Sequence, residues 1–314
     1  MNQMPYFSPG TRRRCFLSSF FLVTLCAGGL LPAAELGPVT HRFVGADYVG
    51  NKVAIVAADG SVEWEFPAVS PQDCWLLANG NVLFCESGGA KEVSPKKEIV
   101  WRYDAPPAAQ CHSCQPLPDG RVLVAECSLG RLVEVGRDGK IAKEIKVASA
   151  AKNLSHQFRG TRKTPDGHYW VCLMDEQKIV ELAEAGDVLR EIPVPGFPHE
   201  AIVLPDGHLL VTLGMAKRVI ELDANLKIVW DISENELPGN PLRLPAACQR
   251  LPNGNTIIGN WLGGGFLGQQ PQAFEVTREK KVVWEFKDHA RFKTMNQLMV
   301  LDTPEDPAKG GLRR

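Results

Sequence analysis

Between residues 112 and 147 the apolar and polar positions fall into four short alternating runs, each closed by a turn signal. One apolar run ends at Pro118-Asp119-Gly120, and a second spans Arg121 to Glu126. After a Gly-marked loop a third spans Arg131 to Val135, and a fourth, Lys140 to Val147, follows Asp138-Gly139. A period of two marks a half-buried strand, and Asp-Gly between two such runs predicts a tight hairpin because both turn positions tolerate positive φ. The stretch therefore predicts a four-stranded meander.

The rest of the chain repeats it. The inner hairpin turn recurs as Asn79-Gly80, Asp119-Gly120, Asp166-Gly167, Asp206-Gly207 and Asn253-Gly254, with successive glycines 40, 47, 40 and 47 residues apart. Two further columns keep the same phase. The third strand carries Glu92, Glu134, Glu181, Glu221 and Glu275, and the fourth carries Trp64, Trp101, Trp230 and Trp284. A period of about forty residues with four strands per unit predicts an all-β propeller, and the Glu and Trp columns read as packing and edge features. The first unit, 42 to 66, lacks an inner strand, while TMNQLMVL at 294 to 301 is an inner strand with nothing after it. Pairing the two closes the ring and satisfies both open edges, giving six blades of four strands with the first blade closed by the C-terminal strand.

The repeats make 35 to 303 one domain, although 314 residues at 44% hydrophobic would also allow two. Residues 1 to 34 have a basic start, an apolar run from Cys15 to Leu31 and a small-residue exit at Pro32-Ala33-Ala34, the layout of a signal peptide. Arg13-Arg14-Cys15-Phe16-Leu17 fits twin-arginine export as well as a general secretory leader. The expected mature protein is periplasmic or secreted, has no membrane span, is monomeric, and ends in a polar tail at 304 to 314. Losing Arg12, Arg13 and Arg14 with the leader takes the formal charge from −1 to −4, which gives no electrostatic basis for binding nucleic acid.

In such a ring the glycine turns lie on one face, and the irregular insertions at 148 to 155, 233 to 246 and 259 to 272 fall on the other. Long loops on a rigid scaffold are where binding residues gather, so a small or extended ligand is expected at that loop-rich mouth. His112, His156 and His199 enter the inner strands of consecutive units, the first and third each eight residues before their glycine. Imidazoles converging there would suit a metal, an anion or proton transfer, or would merely cap strands. Arg159, Arg162 and Arg243 lie in or beside the same entries and favour an anionic ligand, with Asn260 and Trp261 on the third insertion as further ligand-binding candidates. Seven cysteines remain beyond the leader. Cys74, Cys114 and Cys248 share a register that another unit fills with Ala201, which reads as a small apolar slot.

Text such as LPNGNTIIGN followed by FEVTREKKVVWEF resembles the repeats of quinoprotein-type propellers, the pyrroloquinoline quinone repeat group, and is similar to arylsulfotransferase-like propellers. Quinoprotein dehydrogenases have eight blades and an adjacent-cysteine disulfide. This chain has six units and no adjacent Cys pair, so pyrroloquinoline quinone is not an expected cofactor. The arylsulfotransferase resemblance implies a histidine near the axis, which would make His112, His156 or His199 a catalytic nucleophile or base in a transferase or lyase-like enzyme. Ligand binding without catalysis, and a protein-interaction scaffold using the same face, remain the other two readings.

Overall fold

The computed structural model describes residues 40–302; the expected leader at 1 to 34 and tail at 304 to 314 lie outside the described residues. Its strands number 24, β1 to β24, in six four-stranded antiparallel sheets. Five sheets run in sequence order from an inner strand: β4 (Asp73–Leu76), β8 (Cys111–Pro116), β12 (Phe158–Lys163), β16 (Pro198–Val203) and β20 (Pro245–Arg250). The sixth is built from both ends of the domain, β24 (Gln297–Val300) pairing with β1 (Phe43–Asp47), followed by β2 (Lys52–Val56) and β3 (Val62–Pro67). The protein is a six-bladed β-propeller closed by its last strand, as the repeat pattern predicts.

Each inner turn forms for a local reason. The five turn glycines have φ between +82° and +91°, where a Cβ would be strained. The preceding Asp or Asn side chain accepts the backbone N–H two residues on, as Asn79 does from Asn81 (3.0 Å), Asp119 from Arg121 (3.1 Å) and Asn253 from Asn255 (2.9 Å).

Four of the five column glutamates and two of the column tryptophans tie one blade to the next. All five glutamates are buried. Glu92 takes Arg137 (2.7 Å), Glu134 takes Lys163 (2.7 Å) and Glu221 takes Arg250 (2.6 Å), each cation coming from the following blade. Glu275 takes His41 (2.7 Å), which precedes β1. Trp101 and Trp230 donate their indole N–H to Gly136 O (3.0 Å) and Arg278 O (2.9 Å) on the following blade. Buried carboxylates persist because each is paired and hydrogen-bonded, so these columns are structural.

The apolar core lies between blades. The seven described cysteines are all buried, and burial pushes the Cys111 and Cys172 thiols up, which keeps them protonated packing groups. Among the described residues no helix is long and apolar enough to cross a membrane.

Candidate functional site

Four inner strands carry a register shift near their start. Cys111 faces Glu126 but Ser113 faces Ala125; Pro198 faces Leu213 but Glu200 faces Thr212; Pro245 faces Asn260 but Ala247 faces Gly259. In β12 the shift falls between Phe158 and Thr161. One extra residue in a strand bends it and re-aims a side chain. The bulged positions are His112, Arg159, His199 and Ala246, each eight residues before its turn glycine. Gln72 takes that position before β4, and the pairing of β24 places Asn296 there.

All six residues line one cavity of about 550 Å³ on the loop-rich face. In four blades the residue just after the second strand adds a second tier, with Tyr48, Ser87, Met174 and Trp261 on the wall. In the fifth blade that place is Gly214. A Cβ there would come within 2.6 Å of the His199 ring, so the missing side chain is what makes room for the imidazole. The cavity wall thus carries His112, Arg159 and His199 along blades three to five, the carboxylates Asp73 and Glu200, and apolar Met174, Leu244 and Trp261.

His112 and Arg159 act together. His112 Nδ1 lies 3.2 Å from Phe158 O, and the same nitrogen is approached still more closely by the Arg159 guanidinium. The Arg159 Nη1 lies against both ring nitrogens of His112, Nε2 at 3.0 Å, and donates to Ser155 O at 2.7 Å. Burial, then the Arg159 charge, holds His112 well below the ordinary imidazole range. Burial and the same guanidinium push His199 down to about 3. Both rings keep an accessible edge on the cavity yet lie deep within the protein, so both are neutral at pH 7. Arg159, whose basicity burial lowers, stays cationic, and among the described residues it makes no ion pair with a carboxylate.

His156 differs from its neighbours. It does not enter an inner strand: eleven residues before Gly167, it ends a 3-10 turn, Leu154–His156, capped by the Asn153 side chain accepting from Ser155 N at 3.1 Å. The strand register that His156 was expected to hold belongs to Arg159. His156 Nδ1 lies 3.2 Å from Asp175 Oδ1, which turns the other ring nitrogen free, and the ring borders the cavity.

The floor is Arg162. It is fully buried in β12 and crosses the channel, donating to Asp73 Oδ2 (2.9 Å), Ser113 Oγ (2.7 Å) and Glu200 Oε2 (3.2 Å), while Gln297 donates to the same Glu200 oxygen at 2.8 Å. Burial lowers and the two carboxylates raise its basicity, with a net rise. Arg162 thus closes the channel beneath the cavity. Arg243 stands apart, paired with Glu234 at 3.0 Å and set over the Phe266 ring. Asn260 is buried and accepts from Arg243 N while donating to Pro241 O and Pro271 O, so it clamps the long loop. Trp261, the next residue, is on the cavity wall, edge-on to Tyr48 with centroids 6.2 Å apart.

Among the described residues, the sets of three metal-binding side chains with ligand atoms within 4.8 Å are Asp166, His168, Glu181 and Asp206, His208, Glu221, on the opposite face. In both sets the glutamate already binds arginine, Arg190 or Arg250 and Arg278. The three cavity histidines do not form such a set.

The neutral histidines have a consequence for stability. Their folded pKa lies below the unfolded value near 6.5, so the unfolded chain binds more protons as pH falls through 6.5. The stability they contribute is complete above that pH and is lost on acidification, by up to about 1.4 kcal/mol per unit for each ring. His41 runs the other way. Burial opposes its charge, but Glu275 and Asp302 more than offset this and raise its pKa, so its contribution is present in acid and lost above its folded pKa. Melting temperature is expected to fall between pH 6.5 and 4.5, and His199→Asn to flatten that fall. An unchanged profile in the variant would mean that His199 titrates normally.

No family model matches the chain, and no curated protein matches it. Solved structures do. A protein of unknown function from Bacteroides caccae is 27% identical with a TM-score of 0.74, over 83% of this chain and 98% of that one. The likeness is one of fold. Catalytically inactive virginiamycin B lyase from Staphylococcus aureus, solved with quinupristin, is 14% identical with a TM-score of 0.57, over 84% and 89% of the two chains. A nidogen/laminin complex is 11% identical with a TM-score of 0.62, over 83% and 97%. The quinoprotein-type and arylsulfotransferase-like resemblance of the repeats accordingly stands at the level of the propeller.

Proposed function

We propose that the protein binds a small organic anion in the mouth cavity, and that binding rather than catalysis is its function. The observation that carries this is Arg159, a permanent cation on the cavity wall whose contacts are a backbone carbonyl and a neutral imidazole. A carboxylate, sulfonate or phosphate would gain charge-assisted hydrogen bonds there, and His112 and His199 add polar contacts. Trp261, Met174 and Leu244 offer an apolar surface to the rest of the molecule. Arg162 beneath gives the site a solid floor, so entry is from one side.

Calorimetric titration with benzoate, sulfate and phosphate tests this. Arg159→Gln is expected to weaken binding about 10- to 150-fold, the worth of a hydrogen bond to a charged group, with little change in melting temperature. Equal affinity in the variant would place the anion elsewhere.

An enzymatic reading is favoured by one feature, the His156–Asp175 pair at the cavity edge. A carboxylate on Nδ1 fixes the tautomer that leaves Nε2 as a base, the arrangement general-base catalysis needs. The comparison with a lyase adds only the shared fold. Turnover of any ligand, abolished by His156→Gln with binding retained, would decide for catalysis.

Export is part of the same proposal. Amino-terminal sequencing of the mature protein is expected to begin at Ala34 or Glu35, and intact Met1 on soluble cytoplasmic protein would remove it.

A further inference from the structure

Beside the cavity, four loops expose an aliphatic side chain. Met215 lines the cavity and is 57% exposed. Val69 is 65% exposed, Leu154 54% and Val49 36%. Each adjoins the wall: Leu154 precedes Ser155 and His156, Val49 follows Tyr48, and the Val69 carbonyl accepts from the backbone N–H of Ser87 at 3.4 Å. They come from four different loops, so an aliphatic side chain is offered on several sides. A lone exposed aliphatic side chain calls for no ligand. Four of them around an opening that leads down to a guanidinium form a surface with a charge at one end and hydrocarbon at the other.

We infer that the ligand is an amphiphile whose anionic head meets Arg159 and whose hydrocarbon body runs past Trp261 and Met174 to lie on the Met215, Leu154, Val49 and Val69 rim. This rests on reading the cavity as an anion site. A compact polar anion would leave the rim wet, and a neutral hydrocarbon would bury the guanidinium without a counter-charge, at a cost burial alone does not offset. An amphiphile satisfies both ends. Its head takes the charge-assisted hydrogen bonds and its chain removes the exposed methyl groups from water.

The probes are unbranched alkyl carboxylates of four, six, eight and ten carbons, titrated below their aggregation concentrations into the protein and into two variants. Affinity is expected to rise about three- to fourfold per added methylene through ten carbons. Met215→Ser combined with Leu154→Ser is expected to weaken decanoate at least tenfold and leave butyrate unchanged, while Arg159→Gln weakens every member of the series. Affinity that stops rising at six carbons, or a rim double variant that binds decanoate as well as the parent does, overturns the inference and leaves the anion site standing. Decanoate binding that survives Arg159→Gln overturns it from the other end, since the head is then not where the structure puts it. If neither butyrate nor decanoate binds, the anion site fails with it.

Discussion

A chain ending at Lys293 is expected to be recovered as aggregate, without a cooperative melting transition. Removing β24 exposes the inner edge of β1, whose residues Phe43 to Ala46 pair with Val300 to Gln297. Met295, Leu298, Met299 and Val300 are all buried, and at about 1.5 to 3 kcal/mol each their loss removes about 6 to 12 kcal/mol as an upper bound. A domain whose whole stability is about 5 to 15 kcal/mol does not survive that. Further contacts go with the strand. Asn296 donates to Pro71 O and Gln72 O, and Thr294 donates twice to Asp47, so the seam to the second blade opens as well. Soluble protein with an unchanged melting temperature would show that the terminal strand is dispensable.

Arg162→Ala is expected to be the most damaging single substitution in the channel. The guanidinium holds the buried Asp73 and Glu200 together at the base of the cavity, and its removal leaves two buried carboxylates facing each other. Breaking a buried ion pair from one side costs about 3 to 5 kcal/mol, which for a domain of this size lowers the melting temperature by about 6 to 20 °C. Adding Asp73→Asn and Glu200→Gln to the same chain is expected to recover part of the loss, because the charges that need a counter-ion are then gone. A single variant that melts with the parent would mean that the triad contributes nothing to the fold.

The blades, their number and their closure were legible in the sequence because propeller repeats are set by local chemistry. An Asp-Gly or Asn-Gly turn closes its own hairpin, and a period of about forty residues restates the same four strands. The cavity was legible only in part. His112 and His199 stood out by residue type and shared register, and both border the cavity. Arg159 holds the same offset from Gly167 that His112 holds from Gly120, yet His156, three residues earlier, drew the eye as the third histidine. The 3-10 turn at Leu154–His156 and the bulge in β12 are what separate the two, and neither has a turn signature as plain as Asp-Gly. Arg162 read as a ligand-binding cation because its partner Asp73 lies 89 positions away, a contact only ring closure creates. Asn260 looked like a binding group and serves the loop instead, since an amide flanked by three backbone groups is indistinguishable in sequence from a free one. The pairing of Gly214 with the His199 ring likewise appears only when two strands of one blade are brought together.

A crystal structure of the protein with an aryl carboxylate such as benzoate tests the central claim most directly. The account predicts the carboxylate within hydrogen-bond distance of the Arg159 guanidinium, about 2.7 to 2.9 Å, with its ring against Trp261 and Met174 above the closed Arg162 floor. Benzoate bound on the opposite face near Lys163, or a cavity empty at saturating concentration, would contradict it.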